Sequence, residues 1–409
     1  IEGHQRADHP QRHRHQQPET CLSQQPIGEM QQVRPHHGGF GLDSFRLRQN
    51  TSPVVVCWDP TGRGGRILAV ETAARNGRRQ RSGSSIVPLS GNQVKSARLP
   101  GEPSRSFGFQ SIPPQAIRIL ATAHWIMRLE QLDSLSTLPA AEWNALVPDR
   151  NPFLSHEFLS ALERHGCVGD QTGWLPWHVV CRDPQGRLLG AAPLYLKFNS
   201  YGEFVFDWGW AEAYRRQKLP YYPKLVGAIP YTPATSPRLL LAPDQPDPRQ
   251  TAAAIIEYVL EISRQHRLSS IHWLFPTTAE LEPLRTRGFL LRTGCQFHWR
   301  NRGYRDFQDF LSALTAKRRK NIQRERRLVR EAGLELRTLS GREISEAQWV
   351  AVHHFYRDTF QRLGGVPSLT LPFFQEIGAT LGDRIVLALA FAQQREVAAN
   401  VERGAVAEH

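Results

Sequence analysis

The residues most suited to chemistry lie in one aromatic-rich stretch, residues 195–231. It holds 11 of the 38 aromatic residues in the 409-residue chain, about three times the average density. The rings share the stretch with a central carboxylate, Asp207, and with several lysines and arginines. Such a composition indicates either a specialised binding surface or a densely packed core.

Large rings occupy alternate positions within residues 204–210. This is the period expected of a β-strand with one aromatic face, and we predict a strand over residues 203–210. Asp207 falls on the opposite face, where a carboxylate is costly unless it is paired or hydrated. The ring-bearing positions are Phe204, Phe206, Trp208 and Trp210.

The segment after Asp207 mixes tyrosines with lysines and arginines. Rings that carry a hydroxyl, placed next to cations, suit a pocket that stacks on and hydrogen-bonds to an anionic polar ligand. We predict that the strand and this segment enclose such a pocket; the alternative is a sheet core flanked by a solvated loop. The candidate substrate-binding residues are Trp208, Tyr214, Tyr221, Tyr222 and Lys224.

A second candidate is the basic segment 316–331, which we predict to be helical. It contains eight Lys and Arg residues against two Glu, and Ile322 and Val329 give only a narrow apolar seam. Most of this helix must therefore face water or a polyanion. One interpretation is a phosphate-binding surface; the other is an ordinary solvated helix face. The candidate phosphate-binding residues are Lys317, Arg318, Arg319 and Lys320.

The formal charge of +13 does not by itself indicate nucleic-acid binding, because it is unevenly distributed. Residues 1–126 carry 16 Lys and Arg against 8 Asp and Glu, so eight of the 13 net positive charges lie there. The rest of the chain has the charge balance of an ordinary soluble protein.

The five cysteines are far apart, and no two have the two-residue spacing of a redox or zinc motif. Cys295 and His298 supply half of a zinc-like spacing without a second half, so we predict no metal site. Free thiols favour a reducing compartment. No run approaches the ~20 apolar residues that a membrane span needs. We therefore predict a cytoplasmic protein without a membrane span.

Residues 1–118 do not have the pattern of a folded domain, because they are rich in His, Gln, Arg, Gly, Ser and Pro and lack a sustained apolar period. We predict a disordered tail there, and a natural start near Met127. The order of helix-like and strand-like segments in residues 119–300 predicts helices and a mixed, largely antiparallel sheet, which is an α/β (α+β) fold. Residues 301–409 repeat the order strand, helix, helix, hairpin, and end before any counterpart of the aromatic stretch.

This duplicated order, with the residues that fill it, resembles the FemAB-like proteins of the GNAT acyltransferase superfamily, a group described as peptidoglycan biosynthesis/recognition proteins. The resemblance covers about residues 127–400 and fades beyond them. The matching stretches are NPFLSHEFLSALERHGCVGDQTGW, GAAPLYLKFNSYGEFVFDWGWAEAYRR, YYPKLVGAIPYTPATSPRLL, GCQFHWRNRGYRDFQDFLSAL and KRRKNIQRERR.

The resemblance implies tandem GNAT-like domains, over residues 119–300 and 301–409, and transfer of an acyl or aminoacyl group to an amine. The donor would be acyl-CoA or aminoacyl-tRNA, and the acceptor a cell-wall precursor or another small molecule. Such a transfer needs a base, for which Asp207 is our candidate catalytic residue. Family members continue after the last hairpin with a phosphate-binding loop, so we expect the second domain of this form to be incomplete.

The alternative from another functional class is a non-catalytic protein. It would bind an anionic cell-wall precursor or RNA through the aromatic pocket and the basic helix, and its binding would weaken steeply with salt.

Overall fold

The structure is a computed structural model that describes residues 48–58, 118–121, 126–393 and 395–403. It combines helices with mixed, largely antiparallel sheets, which confirms the predicted α+β class. The strands of the described residues are β1 (Arg48–Trp58), β2 (Arg118–Ala121), β3 (Ile126–Leu132), β4 (Trp174–Pro176), β5 (His178–Arg182), β6 (Leu188–Ala192), β7 (Leu194–Lys197), β8 (Lys224–Gly227), β9 (Leu240–Leu241), β10 (Ile271–Leu274), β11 (Leu290–His298), β12 (Glu335–Ser340), β13 (Ile385–Ala392) and β14 (Arg395–Arg403).

Side-chain hydroxyls cap the starts of two helices. The Ser155 and Ser345 hydroxyls accept the backbone N–H groups of Phe158 and Gln348. The helices of the described residues are α1 (Ala140–Asn144), α2 (His156–Arg164), α3 (Trp208–Arg216), α4 (Pro248–Gln265), α5 (Leu281–Arg285), α6 (Phe307–Ser312), α7 (Ala316–Glu331), α8 (Glu346–Leu363) and α9 (Leu371–Leu381).

The largest sheet has six strands in the order β11-β1-β10-β8-β7-β4. Only β8 and β10 are parallel neighbours, and a parallel pair needs a crossover, in which α4 lies. Ile255, Val259 and Ile262 form an apolar stripe on α4 that is buried and packs the helix against the core. The register opposes His272 of β10 to Val226 of β8, and Lys197 of β7 to Lys224 of β8. Buried polar side chains of three strands thus converge.

The element order of the first half recurs in the second half, as the sequence predicts. In the first half, β3, α1, α2 and the β5–β6 hairpin form an antiparallel arrangement, which β2 and β9 extend to the order β2-β3-β5-β6-β9. In the second half, β12, α8, α9 and the β13–β14 hairpin give a three-stranded antiparallel sheet, β12-β13-β14. The ring of Phe158 on α2 packs edge-on against that of Phe373 on α9, with centroids 5.6 Å apart.

Strand β1 lies within the segment for which we predicted only a disordered tail. It pairs with both β10 and β11 and completes the largest sheet. The run Val54–Val56 supplies β-branched residues, which favour a strand, but it is too short to show a period. The other residues of 1–117 lie outside the described residues. The division at residues 300 and 301 stays a prediction.

Candidate functional site

Residues 198–207 form a loop, which we call the aromatic loop, and residues 208–210 begin helix α3, so the predicted strand over residues 203–210 is wrong. Phe204 and Phe206 have φ values of 58° and 51°, in the left-handed region that a strand excludes. The residues do alternate between surface and interior, but the rings face outward. Phe204 and Phe206 are 47% and 75% exposed, whereas Glu203 and Asp207 are each 2% exposed. The carboxylates point inward because they have ionic partners there.

Four side chains form the centre of this interior site. The Lys224 ammonium donates to Asp207 Oδ2 at 2.5 Å and to Glu203 Oε2 at 2.8 Å. The Tyr221 hydroxyl donates to the same Asp207 oxygen at 2.6 Å. Lys224 has no exposed surface, and Tyr221 is 5% exposed. The structure therefore brings together the predicted residues Asp207, Tyr221 and Lys224, but in a buried cluster rather than an open cleft.

Two further ionisable side chains belong to this site. Lys197, which faces Lys224 across the β7–β8 pair, is fully buried and donates to Asn199 Oδ1 at 3.2 Å and to the Tyr201 carbonyl at 3.1 Å. His272 on β10 is 1% exposed, and its Nε2 lies 3.1 Å from Ser270 Oγ. We define the buried polar cluster as Lys197, Glu203, Asp207, Lys224 and His272.

The other predicted substrate-binding residues surround the cluster unevenly. Tyr222 is partly buried, and its hydroxyl lies 2.6 Å from Ser200 Oγ. Tyr214 is buried and packs edge-on against Tyr221. Trp208 is 45% exposed and contacts the ring of Tyr201 on the solvent side of the aromatic loop. Tyr214 and Tyr222 thus adjoin the cluster, whereas the Trp208 ring is largely on the surface.

The side chains of the cluster differ in how far their surroundings shift their pKa values, and these shifts indicate different chemical roles. Burial alone would raise the pKa of Asp207, but the Lys224 ammonium outweighs it and lowers that pKa to about 2. Burial, reinforced by Lys224, lowers the pKa of His272 to about 3. Burial likewise lowers the pKa of Lys197 to about 7, with the charge of Lys224 acting in the same direction. Asp207 is therefore a weak base, and Lys197 changes charge near neutral pH.

Sequence reasoning missed Lys197, Glu203 and His272. Glu203 shares the alternation of Asp207, and that pattern alone would have placed the two on one face. Lys197 and His272 lie in otherwise apolar strands, where a single polar residue gives no indication of its partner. Their convergence depends on the register of β7, β8 and β10, which no local pattern reveals.

The basic helix α7 lies at the surface and has no buried residue. A cavity of about 530 Å³, which we call the α6–α7 groove, lies between it and α6. The Arg326 guanidinium stacks 4.1 Å from the ring centroid of Phe307 at its edge. The groove is lined by Phe307, Gln308, Leu311, Lys320, Asn321, Gln323, Arg324, Arg326, Arg327 and Arg330.

Only Lys320 of the four predicted phosphate-binding residues lines this groove. Lys317, Arg318 and Arg319 precede it along the helix, and Arg319 donates to the Ser312 carbonyl at 3.4 Å. Lys320, Arg324, Arg327 and Arg330 follow one another at spacings of four, three and three residues, so they lie along one face of α7. The four residues predicted from the sequence form its densest run of positive charge. The α7 residues that line the groove lie instead along one face of the helix, several turns long.

Comparison with known proteins places the chain in a family. No curated protein matches it. Within the described ranges, every helix is too short or too polar to cross a bilayer. A sequence model of the FemAB-like family, described as peptidoglycan biosynthesis/recognition, matches residues 134–403. That match spans most of the chain and every residue of the buried polar cluster and the α6–α7 groove, and the protein belongs to the FemAB-like family.

Proposed function

We propose that this protein is a cytoplasmic GNAT-type acyltransferase that transfers an acyl or aminoacyl group to an amine of a peptidoglycan precursor. The observation that carries the proposal is the buried polar cluster of a FemAB-like protein, in which an amine with a pKa of about 7 lies beside fixed hydrogen-bond donors. Amine acylation requires such a base and such donors.

Lys197 is the base that the cluster offers. In its neutral form it would accept a proton from the acceptor amine as that amine attacks the donor carbonyl carbon. The new C–N bond forms, and the bond to the thiolate or ribose oxygen of the donor breaks, with a proton passing to the leaving group. The Tyr222 hydroxyl and the Lys224 ammonium are donors for the oxyanion, and Asp207 positions Lys224 and Tyr221.

Substrate entry requires a displacement of the aromatic loop, because Lys197 and Lys224 are fully buried. The loop turns at Gly202, which has a φ of 78°. A Cβ at that position would lie 2.6 Å from the Tyr231 ring, so only glycine fits the present arrangement. The partly buried Tyr222 adjoins the cluster and is more accessible than Lys224.

The α6–α7 groove supports aminoacyl-tRNA over acyl-CoA as the donor. Its basic residues run from Lys320 to Arg330, about 15 Å of helix at 1.5 Å per residue. Several phosphates of a nucleic-acid backbone would be needed to contact that length, whereas the pyrophosphate of CoA is compact. Arginine also binds phosphate in a bidentate manner.

The second candidate function is non-catalytic recognition of an anionic cell-wall precursor or RNA. The complete burial of Lys197 and Lys224 favours it, because a binding protein needs only the exposed rings and the groove. Turnover separates the two functions. The full chain would be incubated with isotope-labelled aminoacyl-tRNA or acetyl-CoA and an amine-bearing peptidoglycan precursor, and the precursor analysed by mass spectrometry. Transfer is expected to add one acyl residue to the precursor.

The matched variant for turnover is Lys197→Met, which keeps the length and apolar stem of the side chain. We expect it to remove turnover while tRNA binding persists. Binding of both substrates by the unaltered chain without any labelled product would establish the recognition function instead.

Binding to the groove has its own test. Arg324→Glu and Arg327→Glu are expected to weaken tRNA binding at least about 10-fold and to reduce its salt dependence. Arg362→Glu, on the exposed surface of α8, is the control and is expected to leave binding unchanged. Equal losses in all three variants would show that tRNA responds only to net charge.

A further inference from the structure

Three buried polar atoms of the buried polar cluster have no hydrogen-bond partner among the described residues. Among the described residues, Glu203 Oε1, Asp207 Oδ1 and His272 Nδ1 are buried and have no hydrogen-bond partner. The three residues are 1–2% exposed, so bulk water does not solvate these atoms. Buried polar atoms in native proteins nearly always have a partner, and three unsatisfied atoms in one cluster indicate a missing ligand.

The three side chains are close enough to share one ion. Each offers one ligand atom, and these atoms all lie within 4.8 Å of one another. Oxygen and nitrogen ligands lie about 2.0–2.2 Å from a first-row metal ion, so two of them are at most about 4.4 Å apart. The spacing of the three side chains is close to that limit.

A chain of hydroxyls adjoins the Nε2 atom of His272. Ser269 Oγ donates to the Tyr221 carbonyl at 2.6 Å and lies 3.5 Å from Ser270 Oγ. Ser270 Oγ in turn lies 3.1 Å from Nε2 of His272. In the tautomer whose Nε2–H donates to Ser270, Nδ1 carries a lone pair, and such a hydrogen bond to the second ring nitrogen is the usual support of a metal-binding histidine.

Neither Lys224 nor a water molecule satisfies these atoms. Lys224 bonds to the other oxygen of each carboxylate. A water molecule donates two hydrogen bonds, but Glu203, Asp207 and His272 present three acceptors. A cation accepts electron pairs from all three at once.

We propose that Glu203, Asp207 and His272 bind a divalent first-row transition-metal ion, with Ser270 orienting His272. One imidazole and two carboxylates form the mixed ligand set that zinc, manganese and iron accept, and three protein ligands leave a coordination position open. We predicted no metal site from the sequence because no complete Cys/His ligand spacing is present, and Glu203, Asp207 and His272 are up to 69 positions apart and form no local motif. The site does not depend on the proposed transfer reaction.

The test is Co²⁺ and Zn²⁺ titration of the full, chelator-treated chain, by visible absorption and calorimetry. The chain has six histidines within residues 1–37, so the measured quantity is the difference between the unaltered protein and each variant. We expect one equivalent to disappear in His272→Phe. Ser270→Ala, which keeps all three ligands, is expected to weaken that equivalent about 10-fold.

The matched control is His178→Phe, which removes another buried histidine that lies beside a carboxylate. It is expected to keep the bound equivalent. The same stoichiometry in the unaltered protein and in His272→Phe would overturn the proposal. Loss of the equivalent in His178→Phe as well, with both variants folded by circular dichroism, would also overturn it. If His272→Phe does not fold, an unchanged affinity in Ser270→Ala decides against the site.

Discussion

Two regions of this protein bury a histidine beside a carboxylate, and they differ in how completely their polar atoms are bonded. In the first, His178 Nε2 lies 2.9 Å from Glu163 Oε1, and His178 Nδ1 accepts the backbone N–H of Leu194 at 3.3 Å. The other Glu163 oxygen accepts from Ser134 Oγ and from the Leu135 N–H. Every acceptor of this pair is bonded, which is the condition of a structural interaction.

The buried polar cluster has the same residue types and similar burial, but an oxygen of Glu203, an oxygen of Asp207 and a nitrogen of His272 have no partner among the described residues. Both of its carboxylates form an ion pair with Lys224. The comparison teaches that burial and residue type do not distinguish a structural pair from a candidate site. The number of unsatisfied atoms does.

The largest expected effect comes from removing the cation of the cluster. Lys224→Met leaves Glu203 and Asp207 buried without a counter-ion, so we expect the free energy of unfolding to fall by about 3–5 kcal/mol, or folding to fail. Lys197→Met removes an equally buried amine that is bonded to neutral acceptors, and its expected effect is within about 1 kcal/mol. Urea unfolding measures both. Similar losses of stability in the two variants would show that Lys224 contributes no more to folding than Lys197.

A smaller difference in stability is expected between the His178→Phe and His272→Phe variants, both measured as metal-free protein. His178→Phe leaves Glu163 and the Leu194 N–H with unsatisfied groups, which we expect to cost about 2–4 kcal/mol. His272→Phe breaks one hydrogen bond, to Ser270, at an expected cost of about 1 kcal/mol. Thermal and urea unfolding of the two variants provide the measurement. The reverse order would mean that the acceptors of the cluster are bonded in solution.

The smallest effect is the acid dependence of the Glu163–His178 pair. Burial alone would raise the pKa of Glu163, but its hydrogen bonds to His178, Ser134 and Leu135 outweigh burial and lower it. A lowered folded-state pKa means that the unfolded chain binds the proton more tightly, so this stability is present above about pH 4.5 and is lost as the pH falls through the folded pKa. Glu163→Gln should flatten the acid limb of stability against pH, measured by urea unfolding. An unchanged slope would contradict this assignment.

Much of the fold follows from local pattern. The apolar stripe and the Asp247 cap define α4, Ser155 and Ser345 define the starts of α2 and α8, and the hairpin β5–β6 follows its turn at residues 183–186. These features lie within a few residues of one another, so the sequence contains all the interactions that decide them.

The aromatic loop shows where local pattern is insufficient. Alternation at residues 203–207 has the period of a strand, but a loop with left-handed residues at Phe204 and Phe206 produces the same alternation of burial. The choice between the two depends on Lys224, which stabilises inward carboxylates and so leaves the rings outside. A sequence pattern of period two indicates which residues are buried, but it does not distinguish a strand from a loop that buries the same residues.

The sequence by itself determined the α+β class, the repeated order of elements and the FemAB-like resemblance, and it selected Asp207, Tyr221 and Lys224 as candidates. Only the tertiary structure decided that Lys197, Glu203 and His272 join them, and that one face of α7 lines a groove. The physical reason is that hydrogen bonding and ionic pairing act through space over a few ångströms. Strand register, rather than sequence separation, determines which side chains come within that distance.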